Sequence, residues 1–162
     1  MFTPQDEVFM QIAIDASQTA IDAGDMPFGA VLASADGVGL LVARNNQVTS
    51  GDCTGHAEMV LVREATRLLG AKSMEGSTVY ASGEPCAMCS AAIFYTGIGR
   101  AVYGLSAGAI LHLRNAQPHT AGLSLSCRAV LDSAAERVEV IGPCLEEEGA
   151  VPHKGYWQEG AA

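Results

Sequence analysis

The order of apolar patterns along the chain predicts an α/β protein, a three-layer α/β/α sandwich around a central mixed sheet. Three observations carry this. A helical pattern comes first, two strands joined by a short turn follow, and helix and strand then alternate. The 162 residues are 49% hydrophobic and 17% charged, enough apolar side chain to fill one core without extensive disorder. No internal repeat divides the chain, so residues 1–162 read as a single domain.

Each element has a local cause. Thr3-Pro4 is an N-cap followed by an N1 proline. Val8, Phe9, Ile12, Ala16 and Ala20 fall near helical spacing, with Gly24 as the stop. Residues 27–32 and 38–43 read as strands joined by the turn Ser34-Ala35-Asp36-Gly37. Residues 45–55 are polar and turn-rich, which predicts a loop. A second helix is expected over 56–69, ended by Gly70. A strand follows at 78–82, and then a helix at 84–95 with Pro85 in its first turn. Further strands are expected at 100–105 and 137–141. Residues 106–126 give no clear pattern, Glu146-Glu147-Glu148 reads as a solvated face, and the last ten residues read as an extended tail.

Charge and cysteine count narrow the function classes. Eighteen acidic against nine basic side chains give a formal charge of −9, which repels phosphate backbones and argues against a nucleic-acid polymer as ligand. No apolar run approaches the roughly 20 residues that cross a bilayer, and no secretory signal is apparent. Five cysteines do not suggest a disulfide framework, so a reducing cytoplasm is expected.

The chemistry lies in two segments, His56-Ala57-Glu58 and Pro85-Cys86-Ala87-Met88-Cys89. Together they spell H-x-E…P-C-x-x-C, the pattern of zinc-dependent deaminases that remove amino groups from nucleobases. Catalytic Zn²⁺ takes three protein ligands and keeps a fourth position for water. His56 offers a nitrogen, and Cys86 and Cys89 offer thiolates. Three residues apart on one helical turn, the cysteines can reach a single ion. The helix N-terminus favours their charge. Glu58 is not a ligand in this reading. It is the proton shuttle, taking a proton from activated water and delivering it to the ring nitrogen and then to the leaving amine. A structural zinc staple would need a fourth ligand, for which Cys53 is the nearby candidate. A redox C-x-x-C would need neither His56 nor Glu58.

These residues resemble the cytidine deaminase-like superfamily, in the branch of bacterial guanine deaminases, tRNA adenosine deaminases and fungal-type cytosine deaminases. The resemblance covers PFGAVL, Asn45-Asn46 to Gly55, HAE and EPCAMCSAAI. It implies one Zn²⁺ per chain, an α/β/α sandwich and a homodimer. It implies that Asn45 hydrogen-bonds the base, that the Ala57 amide holds a substrate heteroatom, and that Phe28 lies against the ring. Tyr156 and Trp157, with His153, stand where relatives close the pocket, so residues 145–162 are expected to cover the site. The expected substrate is a small aminated base or nucleoside, purine-type and guanine-like by the Pro27-Phe28-Gly29 stretch. A cytosine-type ring is the alternative, a tRNA substrate a lesser one, and a non-catalytic zinc scaffold the last. The tail lacks the basic helix of the tRNA enzymes. Residues 106–111 lack the acid with which guanine deaminases read their base. His112 and His119 read as surface or packing residues, Asp52 as a turn residue, and Glu84 as a residue that sets its loop.

Overall fold

The computed structural model describes residues 1–114, 123–136 and 138–158. The first helix, α1 (Pro4–Asp22), starts from a reciprocal cap. Asp6 N–H donates to the Thr3 hydroxyl at 3.2 Å, and Thr3 N–H donates to the Asp6 carboxylate at 2.7 Å. A hairpin follows, β1 (Gly29–Ala33) and β2 (Gly39–Arg44). Then come α2 (Gln47–Ser50), α3 (Ala57–Leu69), β3 (Thr78–Gly83), α4 (Ala87–Tyr95) and β4 (Arg100–Leu105). The chain continues through α5 (Ala107–Leu113), α6 (Cys127–Leu131), β5 (Glu139–Ile141) and α7 (Glu146–Gly149).

The strands form one mixed sheet in the order β2-β1-β3-β4-β5. β1 runs antiparallel to both β2 and β3, and β3, β4 and β5 run parallel. Alternate strand residues face two apolar layers. On one side Met10, Ala13 and Ile14 of α1 pack on Val31, Tyr80 and Val102. On the other, Leu61 and Ala65 of α3, Ile93 of α4 and Leu131 of α6 pack on Leu32, Val79, Ala81 and Ala101. Central strands covered on both faces read as near-continuous apolar runs, as the three strands β1, β3 and β4 do. Gly29 lets α1 approach, because a Cβ there would lie 2.2 Å from the Ala13 carbonyl oxygen.

A buried polar network ties α1 to the sheet. Arg100 on β4 donates to both oxygens of Asp6, at 2.6 and 2.9 Å, and the Tyr80 hydroxyl on β3 donates at 2.8 Å. Burial pushes the Asp6 carboxyl up. The hydrogen bonds from Arg100, Thr3 and Tyr80 outweigh it and hold the group well below the ordinary carboxylate range.

Three sequence expectations need correction, and the segment after β4, whose Ala/Gly-rich start read as loop or short helix, takes the helical form. The segment expected as loop contains α2. Helix α4 begins at Ala87 rather than at residue 84, with Cys86 as its N-cap and Pro85 outside the first turn. The unassigned segment after β4 contains α5, capped by Ser106, whose hydroxyl accepts from Ala109 N–H at 3.2 Å. The tail is not extended: it turns and forms a short 3₁₀ helix at Tyr156–Gln158, held by a hydrogen bond from the Trp157 indole to His153 at 3.2 Å. The Glu146–Glu148 run is exposed, as expected, although it lies on α7. Arg137, expected to open the last strand, and His119 lie outside the described residues.

Candidate active site

The parallel strands β3 and β4 deliver their C-terminal ends to one edge of the sheet, where α/β proteins gather their ligand-binding loops. β3 ends at Gly83 and leads through Glu84-Pro85 to Cys86. Glu84 sets this loop. Its carboxylate accepts from Ala107 N–H at 2.9 Å and from Cys127 N–H at 3.1 Å, joining the starts of α5 and α6 to the end of β3.

Two helix N-termini meet there. His56 is the N-cap of α3 and Cys86 the N-cap of α4, both with extended backbone, and neither side chain bonds its own helix. Both point instead at a shared centre. His56 Nδ1 lies 3.6 Å from Cys86 Sγ and 3.6 Å from Cys89 Sγ, and the two sulfurs are 3.6 Å apart. Donors around a tetrahedral Zn²⁺, at about 2.1 Å for nitrogen and about 2.3 Å for sulfur, stand roughly 3.6–3.8 Å from one another. The three residues therefore fit that ion in both donor type and spacing. Cys53, the candidate fourth ligand of a structural staple, is exposed and does not belong to the cluster. The arrangement is that of a catalytic zinc site with one position left for solvent or substrate.

The electrostatics agree. The hydrogen bond from Cys89 pulls the Cys86 thiol down to about 4 despite its burial, with His56 helping. The same bond and burial push Cys89 up. By itself the pair holds one negative charge, and a dication is what allows both sulfurs to ionise. The Cys86 thiolate in turn raises His56.

Glu58 is on the first turn of α3 and 7% exposed. Burial raises its pKa, which neither its own backbone amide nor His56 cancels. Among the described residues no arginine or lysine pairs with it. A raised carboxyl pKa brings a group closer to the range in which general acid–base catalysis is efficient. Ala57, wholly buried, is the first residue of the same helix, where an N–H has no intrahelical partner.

The other expected site residues make the following contacts. Asn45 is 1% exposed, and its N–H donates to the Phe28 carbonyl at 2.9 Å. Its side chain is already engaged: Oδ1 accepts from Gln47 N–H and Nδ2 donates to Gln47 Oε1, both at 3.0 Å. The Phe28 ring meets His153 edge-on at 5.3 Å and Trp157 at 6.5 Å. Trp157 packs on Tyr156 at 4.7 Å, and the Arg114 guanidinium lies 4.7 Å above its ring. Tyr156 thus reaches Phe28 only through Trp157. His112 is exposed. Asp52 is a turn residue, accepting from Thr54 N–H at 2.8 Å. Two open surface clefts, one along β2 and α3 and one beside α5 and α7, contain none of the zinc-site residues.

Sequence reasoning missed two supports. Asp25, wholly buried, accepts from Arg44 at 2.8 Å, from Val48 and Thr49 N–H at 3.0 and 2.9 Å, and from the Thr49 hydroxyl at 2.8 Å. It clamps the loop that carries Asn45 and Gln47. The only sequence signal is an acid beside the helix-ending Gly24, which marks turns in general. Gln47 sits in a polar stretch and has no distinguishing pattern.

Comparison with known proteins agrees with this geometry. The family described as the cytidine and deoxycytidylate deaminase zinc-binding region matches residues 3–105. A probable cytosine deaminase of Schizosaccharomyces pombe is 37% identical over 156 residues, 96% of this chain and 94% of that protein. A guanine deaminase of Bacillus subtilis is 39% identical over 90 residues, 55% of this chain and 57% of that protein. Among solved structures, a guanine deaminase from Nitrosomonas europaea superposes on 98% of this chain and 86% of its own with a TM-score of 0.80. At 17% identity that likeness bears on fold alone. The chain belongs to the cytidine and deoxycytidylate deaminase zinc-binding family.

Proposed function

We propose that this chain hydrolytically deaminates a small aminated oxo-heterocycle, with a cytosine-type ring as the leading substrate. The observation that carries the reaction is Glu58, a buried carboxyl with a raised pKa next to a three-donor zinc cluster. Bound to His56, Cys86 and Cys89, Zn²⁺ would supply a Lewis acid that makes water acidic at neutral pH. Glu58 accepts the proton that water gives up and passes it to the ring nitrogen beside the amine-bearing carbon. Oxygen adds to that carbon, Glu58 takes the remaining proton of the added hydroxyl and hands it to the departing nitrogen, and the carbon–nitrogen bond breaks. The balance is amine plus water to oxo product plus ammonia. The Ala57 N–H and Asn45 orient the ring, Phe28 lies against it, and Trp157 with Tyr156 covers it. In this reading residues 1–162 are one deaminase domain and residues 145–162 close its pocket.

The ring class rests on which relative the chain follows furthest. The probable cytosine deaminase is similar over nearly the whole chain, tail included. Guanine and tRNA adenosine deaminases of Bacillus subtilis are similar over 55% and 62% of it. This moves weight from the purine-type ring expected from Pro27-Phe28-Gly29 toward a pyrimidine, and the guanine-like ring is the second reading. A homodimer and a cytoplasmic setting, implied by the resemblance and by the cysteines, belong to the same proposal. No helix among the described residues is long and apolar enough to cross a membrane.

The test is ammonia release by zinc-loaded protein from cytosine, isocytosine, guanine, adenine and a tRNA anticodon stem-loop. Release from cytosine supports the leading reading, and release from guanine alone supports the second. Activity confined to the stem-loop, or silence throughout, contradicts both.

A further inference from the structure

His153 is 2% exposed, in the turns that follow α7. Its Nδ1 lies 3.2 Å from the Trp157 indole nitrogen. An indole N–H only donates, so Nδ1 is the acceptor. A neutral imidazole then carries its proton on Nε2. Burial, with the Arg114 charge acting in the same direction, lowers the pKa to about 4, so the neutral form prevails at pH 7. Nε2 is the one buried side-chain nitrogen or oxygen without a hydrogen-bond partner among the described residues.

A buried donor without an acceptor is costly, and native structures contain few. Packing does not account for it, because a phenylalanine would fill similar space and carry no orphan N–H. Position does. The imidazole meets the Phe28 ring edge-on. The Phe28 carbonyl holds Asn45. The Phe28 ring covers Gly83, where a Cβ would come within 3.1 Å of it, three residues before Cys86. His153 is therefore joined through Phe28 both to Asn45 and to the strand end that leads to Cys86.

We propose that the His153 Nε2–H donates a hydrogen bond to an exocyclic oxygen of the substrate ring, which makes His153 a specificity-determining residue of this site. The proposal rests on the deaminase reading above and sharpens it. Cytosine, isocytosine and guanine each carry an oxo group separated from the reacting amine by a single ring nitrogen. Adenine has a C–H at that position and would leave the donor unpaired. A site built around such a donor discriminates strongly against the ring that lacks its acceptor. His153 thus selects amino-oxo rings over adenine-type rings.

The test uses zinc-loaded protein with ¹⁵N-labelled histidine, and the His153 Hε2–Nε2 resonance is assigned by its loss in His153→Phe. Pyrimidin-2-one, which is cytosine without its amine, is expected to move that resonance downfield with saturation, and pyrimidine, which lacks the oxygen, is not. A resonance that pyrimidin-2-one leaves in place overturns the proposal. The second measurement compares kcat/KM for cytosine and 4-aminopyrimidine, which differ at the 2-oxo group. His153→Phe is expected to shrink the preference for cytosine by roughly tenfold to a hundredfold, and His153→Gln, which keeps an N–H, to restore part of it. An equal loss on both substrates would assign His153 a packing role and overturn the proposal. Ammonia release from cytosine with an unmoved His153 resonance would keep the deaminase and remove this role. A moved resonance in a protein that deaminates no base would do the reverse.

Discussion

Asp6 and Glu58 are both buried acids on the first turn of a helix, and the molecule treats them in opposite ways. Asp6 accepts from Arg100, Thr3 and Tyr80, so its charge is fully partnered and its pKa falls. Among the described residues no arginine or lysine holds Glu58, and burial raises its pKa. Partnered, a buried carboxylate is a clamp between helix and sheet. Left short of partners beside a Lewis-acid site, it is a reagent. The contrast is between two individual acids rather than two ends of the fold, because Glu84 beside the cluster is itself fully bonded to Ala107 and Cys127 N–H.

The contrast can be broken by substitution. The largest effect on function is expected at the metal. Cys86→Ala should lower zinc well below one ion per chain and turnover by at least a hundredfold or so. Unchanged stoichiometry in metal analysis would remove Cys86 from the ligand set. On the structural side, Asp6→Ala takes the buried carboxylate from Arg100 and leaves it the half-exposed Glu139 at 3.1 Å, so it should cost about 3 kcal/mol of stability in a urea titration, while the folded fraction keeps its kcat. A comparable loss of kcat would erase the distinction between the two acids. Asp25→Asn should be milder, about 1–3 kcal/mol. Because Asp25 clamps the loop that bears Asn45, KM should rise more than kcat falls, and an unchanged KM would show that the clamp does not position Asn45.

A different readout, pH, sharpens the comparison. His153 has a folded pKa of about 4, below the ordinary 6.5. Between those values the unfolded chain binds more protons, so stability falls as pH drops from about 6.5 to about 4, by up to about 1.4 kcal/mol per pH unit. His153→Phe should flatten that window. Asp6 works in the same direction but in a lower window: its depressed pKa adds stability above the usual carboxylate range, lost only as pH falls below about 4. Wild type and His153→Phe with parallel stability curves from pH 6.5 to 4 would contradict the buried neutral assignment.

Much of this was legible in the sequence, for physical reasons that also set the limit. Thr3-Pro4 announces α1 because capping is local, and H-x-E with P-C-x-x-C announces the metal because ligand geometry restricts residue type and spacing. The start of α4 was misplaced because Pro85 suits a helix's first turn, while Cys86 gives up helical geometry to aim its sulfur. The compact tail was missed because its hold on Phe28 spans 125 residues or more of chain. Asp25 and Gln47 were not recognised as supports because side-chain hydrogen bonds that hold a loop leave no periodic trace.

The most direct test of the central claim measures zinc content and ammonia release on the same preparations of wild type and Glu58→Gln. The expected result is about one zinc per chain in both, equal or greater stability in the variant, and a rate at least about a hundredfold lower. A Glu58→Gln protein that keeps its zinc and turns over at a near-normal rate would contradict the account, because the unpartnered acid would then not be the group that moves the proton.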